Sequence, residues 1–397
     1  MTMEEAELSA RRPDRPVFYN DPFWRSLAYQ LLTILVLAGA IVWMWTNTLE
    51  NLKRANLSSG FGFLQSRAGF DLAQALIPYS SDSSYFRALE VGLLNTLAVA
   101  ALGIVTTTIL GLLIGIGRLS SNWLVRKLAT VYVEAFRNIP LLVIIFFWYK
   151  GVLNALPNVR ESIVMPFGMI LNNRGFYFPA PIFGEGSILI LVALAVGILA
   201  AFLWSRRAKA QQMATGKRPP VFWVNVALVL GLPILTFLVL GAPLTFDMPV
   251  AGKFNISGGN IVGPEFMSLY LALSFYTAAF IAEIVRAGIR GVAKGQTEAA
   301  YALGIQPGRT MRLVILPQAL RIIIPPMTSQ YLNLTKNSSL AVAIGYADLV
   351  AVGGTILNQT GRAIEVVAIW LLIYVSISLA TSLFMNWFNR KMALVER

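Results

Sequence analysis

Long runs of apolar residues separated by short polar segments dominate this chain from residue 26 onward. An α-helix rises about 1.5 Å per residue, so roughly 20 apolar residues cross the ~30 Å hydrocarbon core of a bilayer. By that ruler eight spans are predicted, at 26–46, 89–116, 129–150, 187–204, 221–241, 267–289, 323–345 and 366–388. The fourth is short, and the seventh is interrupted by Lys336, Asn337, Ser338 and Ser339. The predicted fold class is an all-α integral membrane protein. Residues 1–25 are polar and mixed in charge and do not resemble a cleavable signal peptide, so the first span is expected to stay as an anchor.

Charge placement orients these spans. With the N-terminus inside, the inner loops hold Arg118, Arg126 and Lys127, then Arg206, Arg207, Lys209, Lys217 and Arg218, then Arg290, Lys294, Arg309 and Arg312, and finally Arg390, Lys391 and Arg397. The outer loops are poorer. Loop 47–88 spreads Lys53, Arg54, Arg67 and Arg87 among glycine, serine and acidic residues, and 242–266 has the single Lys253. The bias predicts both termini on the cytoplasmic side. Trp24, Trp43, Trp45, Trp148, Trp204, Trp223 and Trp387 fall near span ends, where amphipathic rings sit at the membrane interface.

Composition narrows the chemistry. Of 397 residues, 56% are hydrophobic and 13% charged, about half the charged share of a soluble domain. The formal charge of +13 sits in short clusters between apolar runs, which reads as membrane loops and not as a nucleic-acid surface. Without cysteine or histidine there are no disulfides, thiol nucleophiles, imidazole metal sites or Ser-His-Asp arrangements.

The loop between the sixth and seventh spans is too patterned for a passive linker. Thr297 can cap a helix, Glu298 suits a first turn, Ala299 to Leu303 are helix formers, and Gly304 lies where a helix should stop. Pro307 and Gly308 turn the chain, and Arg309 to Leu316 starts a second helix before Pro317. A short stub of small residues ended by glycine can seat in another protein's groove, although any such loop can carry a short surface helix.

Glu298-Ala299-Ala300, three residues, Gly304, nine residues, then Val314-Ile315-Leu316-Pro317 resembles the EAA loop of membrane subunits of binding-protein-dependent ABC importers, with Val314 where isoleucine is usual. Thr277 to Arg290, Gln318 to Arg321, Lys336 to Leu340 and Tyr132 to Leu142 extend the likeness to the polar amino-acid branch, over about 84–150 and 266–390. The long chain with an extra first span and an insertion is similar to the general L-amino acid importers of the Aap/Bzt type.

That resemblance implies a cytoplasmic tail at 1–25, an extra helix and periplasmic loop at 26–83, a first core part at 84–150, and an insertion with two membrane helices at 151–265. A second core part follows at 266–390 with a cytoplasmic coupling loop at 291–321, then a tail at 391–397. It further implies a bacterial inner-membrane permease importing polar amino acids, working with a second permease of paralogous type, two ATPase subunits and a periplasmic binding protein. Glu298, Ala299, Ala300, Gly304 and Arg309 would couple to the ATPase. No Gly-x-x-x-x-Gly-Lys-Ser/Thr occurs, and Gly216-Lys217 lacks both the upstream glycine and the hydroxyl. ATP is therefore expected on partner subunits, with no cofactor bound by this chain.

A free amino acid in transit needs donors for its carboxylate and acceptors for its ammonium. Candidates for the path are Arg137 and Asn138 in the third span, Glu283 in the sixth, and Lys336, Asn337 and Ser338 in the seventh, where Pro325-Pro326 could interrupt the helix. Structural readings compete: Glu134 with Arg137 and Glu283 with Arg286 are spaced to pair within one helix, and Asn337 to Ser339 could be helix-packing polar groups. The alternative from another class, an ion-gradient-driven secondary amino-acid transporter, would show inverted repeats and mid-depth carboxylates. No convincing repeat and no Asp inside a span is present.

Overall fold

The computed structural model describes residues 21–54, 60–217, 219–252 and 255–392. Residues 1–20 of the polar tail, residues 393–397, Arg218 and Lys253 lie outside the described residues. Among the described residues six helices are long and apolar enough to cross a membrane, or up to eight spans if two bent pairs each count as one. The eight predicted spans map onto these, with two changes of shape.

Two compact units form. The smaller comprises the chain up to residue 66 together with 354–369. It contains α1 (Pro22–Arg54) and a tight turn in which Gly60 is held twice, its N–H donating to Glu365 Oε1 at 2.9 Å and its carbonyl accepting from Arg362 at 2.9 Å.

The larger unit holds α2 (Tyr85–Gly117), α3 (Trp123–Asn138), α4 (Leu141–Leu153), α5 (Ile188–Thr215), α6 (Val221–Val239) and α7 (Pro264–Arg290). It continues with α8 (Lys294–Ala302), α9 (Pro307–Ile344) and the start of α10 (Leu349–Thr360), and ends in α11 (Ala363–Met392), whose first turns belong to the smaller unit. Local chemistry starts several of these. Ser84 Oγ accepts from Arg87 N, Asn122 Oδ1 accepts from Leu124 N and Val125 N, and Pro264 occupies the first turn of α7 beside Glu265.

Helix α7 is the centre of packing: 61% of its most apolar stretch is buried, against 28% for α2. Close approach depends on glycine. A methyl at Gly111 would meet Ile281 at 2.5 Å, and one at Gly115 would meet the Ala282 carbonyl at 2.8 Å, so α2 lies against α7 where only hydrogen fits. One cluster joins Val99, Leu141, Ile144, Leu269, Leu273 and Leu334, and another joins Ile281, Val285, Ile323 and Tyr331. Hydroxyls add ties between helices: Thr106 with Tyr270, Thr108 with Tyr331, and Tyr132 donating to the Phe275 carbonyl at 2.6 Å.

The third predicted span is not one straight helix. Ile139 is extended (φ −99°, ψ 131°) before Pro140, and α3 and α4 meet at 108°. The residue before proline is sterically pushed out of the helical region, and this breaks the span. The seventh span departs in the opposite sense. The helix runs through Pro317, Pro325 and Pro326, with a π-helical turn at Met311–Ile315 that accommodates the ring of Pro317. It tightens to a 3₁₀ turn from Ser338 to Ile344, then bends by 53° into α10, a helix that hydropathy did not suggest.

The insertion also carries strands that the sequence reading did not contain. β1 (Ile163–Val164), β2 (Ile170–Asn172), β3 (Gly175–Phe178) and the later β8 (Asn260–Val262) form an antiparallel sheet in the order β1-β2-β3-β8. β4 (Ala180–Phe183) pairs with β5 (Leu244–Asp247) from Ala180↔Asp247 to Phe183↔Leu244, so the chain leaving for the α5–α6 hairpin is zipped to the chain returning from it. A last short ribbon joins β6 (Val250–Ala251) and β7 (Ile256–Ser257).

Candidate functional site

Three groups of residues stand out in the larger unit. The first is the surface helix α8. It begins at Lys294 after Ala293, so Thr297 lies inside it and caps nothing. Its end is set by Gly304, whose φ of +73° is the left-handed conformation that favours glycine. There Gly304 N donates to the Tyr301 carbonyl and Ile305 N to the Ala300 carbonyl, closing the last turn. Ala300 is 3% exposed and faces inward, while Glu298, Ala299, Gly304 and Arg309 are exposed.

Two apolar side chains that the sequence reading passed over stand out on this loop: Leu303 at 79% and Tyr301 at 50% exposure. Their signal was the placement of large apolar residues in a polar loop. Gln318 on α9 ties the loop down, donating to Gln296 Oε1 at 3.1 Å and to the Val314 carbonyl at 3.0 Å. Thr310, fully buried, donates back to the carbonyls of Ile305 and Gln306.

The second group is a charge network where α2, α3 and α7 meet. Glu283 binds Arg286 on its own helix, with Arg286 Nε at 3.1 Å from both carboxylate oxygens, and it also receives Arg118 from the end of α2. Glu134 does not pair with Arg137; its nearest cation is Arg118, 3.8 Å away. Arg137 instead lies over the Phe280 ring at 5.6 Å, and Asn138 donates to the Glu134 carbonyl at 2.7 Å. With both oxygens of Glu283 engaged by Arg286 and Arg118, that carboxylate ties α2 to α7, and Arg118 extends the link to Glu134 on α3. Glu283, predicted on the path, therefore sits in an ion-pair network that includes the within-helix pairing with Arg286.

The third group surrounds the irregular stretch of α9. Lys336 is exposed, and no ion pair among the described residues engages it. Asn337 is half-buried beside it. Ser338, also predicted on the path, has no exposure and its hydroxyl donates to the Thr335 carbonyl at 2.8 Å, so it is buried inside the bundle. Pro325-Pro326 leaves no gap in the helix. The structure does bring the two irregular spans together, because Leu141, Ile144 and Ile145 after the α3–α4 break share one buried cluster with Leu334, Ala341 and Ile344. Discontinuous helices in contact are where membrane transporters keep free backbone polar groups.

Beyond the 3₁₀ turn lies a set of buried polar contacts that the sequence reading did not find. Tyr346 donates to the Asn95 carbonyl at 3.0 Å, and Asn95 Nδ2 donates to the carbonyls of Ala347 and Gln74. Asp348, with no exposure, accepts from Ala351 N at 2.8 Å and so caps α10. Its position just before the apolar run from Leu349 was the available signal. A cleft of about 360 Å³ beside these residues is lined by Gln74, Asn95, Asn260, Phe266 and Tyr346, among others. Among the described residues no cluster of His, Cys, Asp and Glu could hold a metal ion.

Residues 219–394 match the family described as Binding-protein-dependent transport system inner membrane component. The general L-amino acid transport system permease protein AapQ of Rhizobium johnstonii is 65% identical over 377 residues, covering 95% of this chain and 94% of the relative. The putative amino-acid ABC transporter permease protein YhdX of Escherichia coli is 48% identical over 380 residues, covering 96% and 97%. The glutamate/glutamine/aspartate/asparagine transport system permease protein BztB of Rhodobacter capsulatus is 46% identical over 409 residues, covering 95% and 96%. Coverage this complete includes the insertion.

Proposed function

Since this chain belongs to the permease proteins of the amino-acid ABC importers, we propose that α8 receives the stroke of a separate ATPase and that α9 carries it to the level where the substrate passes. The chain is the membrane subunit of an importer for polar amino acids, and nothing favours an ion-gradient-driven secondary transporter. A periplasmic binding protein would deliver the substrate, a second permease of similar sequence would complete the path, and ATP would be bound by partner chains on the cytoplasmic side.

The observation that carries this reading is one exposed apolar corner on one continuous rod. Leu303 and Tyr301 project from a helix closed at Gly304, and that helix is strapped through Gln296 and Gln318 to α9. From Pro307 to Lys336 α9 runs without a gap, a rise of about 45 Å. A groove on the ATPase that grips Leu303 would move Lys336. There an exposed ammonium would meet the substrate carboxylate, while Asn337, Asn138 and Arg137 would supply further polar contacts.

The test replaces Leu303→Glu in the assembled transporter. Insertion and thermal stability are expected to stay intact, because the side chain touches solvent, while the ATPase no longer co-purifies and ATP-dependent uptake into proteoliposomes is lost. Normal uptake by Leu303→Glu overturns the assignment.

A further inference from the structure

The α5–α6 hairpin takes no part in the groups described above, and its charge is one-sided. No acidic residue lies between Glu185 and Asp247, while Arg206, Arg207, Lys209, Lys217 and Arg218 all fall within positions 206–218 of the sequence. Basic residues are common at the polar ends of membrane helices, so density by itself is not a site. Geometry adds to it. Helix α5 does not stop where its apolar run ends at Trp204 but continues through Arg206, Arg207 and Lys209 to Thr215. Side chains on a helix lean toward its N-terminus, here back toward the apolar run. Arg206 does this, with its guanidinium 5.5 Å from the Phe202 ring.

The start of α6 supplies the matching aromatic surface at the same end of the hairpin. Phe222 and Trp223 are 67% and 72% exposed and contact each other edge to face. A bond from Asn225 Nδ2 to Ser205 Oγ at 2.8 Å locks the two helices beside this surface, so cations and rings are held on one scaffold. Arg206, Arg207, Lys209 and Lys217 are all exposed, and among the described residues no carboxylate pairs with them. Arg118, at the polar end of α2, shows the contrast, being held by Glu283 and Glu134.

We propose that this end of the hairpin is a binding site for anionic phospholipid, with Arg206, Arg207 and Lys209 on the headgroup phosphate and Phe202, Phe222 and Trp223 against the glycerol and upper acyl region. Charge complementarity selects an anion, since an acid-free surface with several cations has no partner of its own. Continuity selects a lipid over a neighbouring protein, since the surface runs directly into Leu199, Leu203, Leu230 and Ile234, each more than half exposed and apolar. This site would hold lipid whatever amino acid the importer carries.

The test uses the purified transporter reconstituted in phosphatidylethanolamine vesicles carrying a photoactivatable phosphatidylglycerol, with a photoactivatable phosphatidylcholine as control. The expected result is cross-linking to peptides within 199–230, at least about fivefold weaker with the zwitterionic probe, given the electrostatic attraction of each basic residue. The triple variant R206Q/R207Q/K209Q is expected to lose most of the labelling, while Arg390→Gln with Lys391→Gln is expected to keep it. Equal labelling by both probes, labelling confined to other peptides, or unchanged labelling of the triple variant overturns the proposal. If the triple variant fails to insert, the two-probe comparison on the unaltered protein decides.

Discussion

Thr96 Oγ accepts the backbone N–H of Leu349 at 3.0 Å, joining residues 253 positions apart in sequence, and donates in turn to the Gly92 carbonyl at 2.9 Å. Thr96 and Leu349 are both wholly buried. This hydroxyl pins the first turn of α10 to α2, and it matters because a buried N–H without a partner is costly. Thr96→Val keeps the shape and removes the acceptor. The expected loss is about 1–3 kcal/mol of stability, read as a lower unfolding temperature of the detergent-solubilised protein. An unchanged midpoint contradicts the role given to Thr96.

Glu283 separates structure from transport. Its carboxylate is taken up by Arg118 and Arg286 at a junction where the three side chains are 11–24% exposed. Glu283→Gln should lower thermal stability substantially, since two guanidinium groups lose their shared anion in a partly dry site. The KM for uptake by correctly assembled transporter should stay near that of the parent. A several-fold rise in KM with unaltered stability would place Glu283 on the substrate path.

Lys336 should behave in the reverse way. Being exposed and without an ion pair among the described residues, it contributes little to packing. Lys336→Met is expected to leave the melting temperature within a degree or so while reducing uptake at least about tenfold, the size of effect that follows from losing one favourable charge contact of about 1.4 kcal/mol. Full transport by this variant removes Lys336 from the path.

At Gly304 two physical demands can be told apart. The φ of +73° penalises any side chain, alanine by about 1 kcal/mol and asparagine by less, and a methyl there would meet nothing within 4 Å inside the chain. If backbone conformation dominates, Gly304→Asn retains more ATP-dependent uptake than Gly304→Ala. If a tight socket on the ATPase dominates, the smaller alanine retains more. The second order is expected, because the proposed contact buries this corner.

What was legible in the sequence is what a local ruler can read. Apolar runs of sufficient length placed the spans, because the cost of burying polar groups in lipid acts on each segment separately. The glycine after Leu303 marked the end of the surface helix, because a left-handed residue is a local requirement. The tertiary structure decided the partners. Glu134 stands three residues from Arg137, yet its nearest cation is Arg118, and Glu283 meets Arg118 across 165 residues. Ser338 and Lys336 are near neighbours in the chain, but packing seals one and exposes the other. The bend at Pro140 lay within reach of local reasoning, since proline constrains the residue before it, whereas the unbroken passage through Pro325-Pro326 did not, because neighbouring helices hold that stretch in place. Hydropathy and turn chemistry are properties of single segments, while ion pairing, burial and strand pairing depend on which segments become neighbours, and only the packed fold determines that.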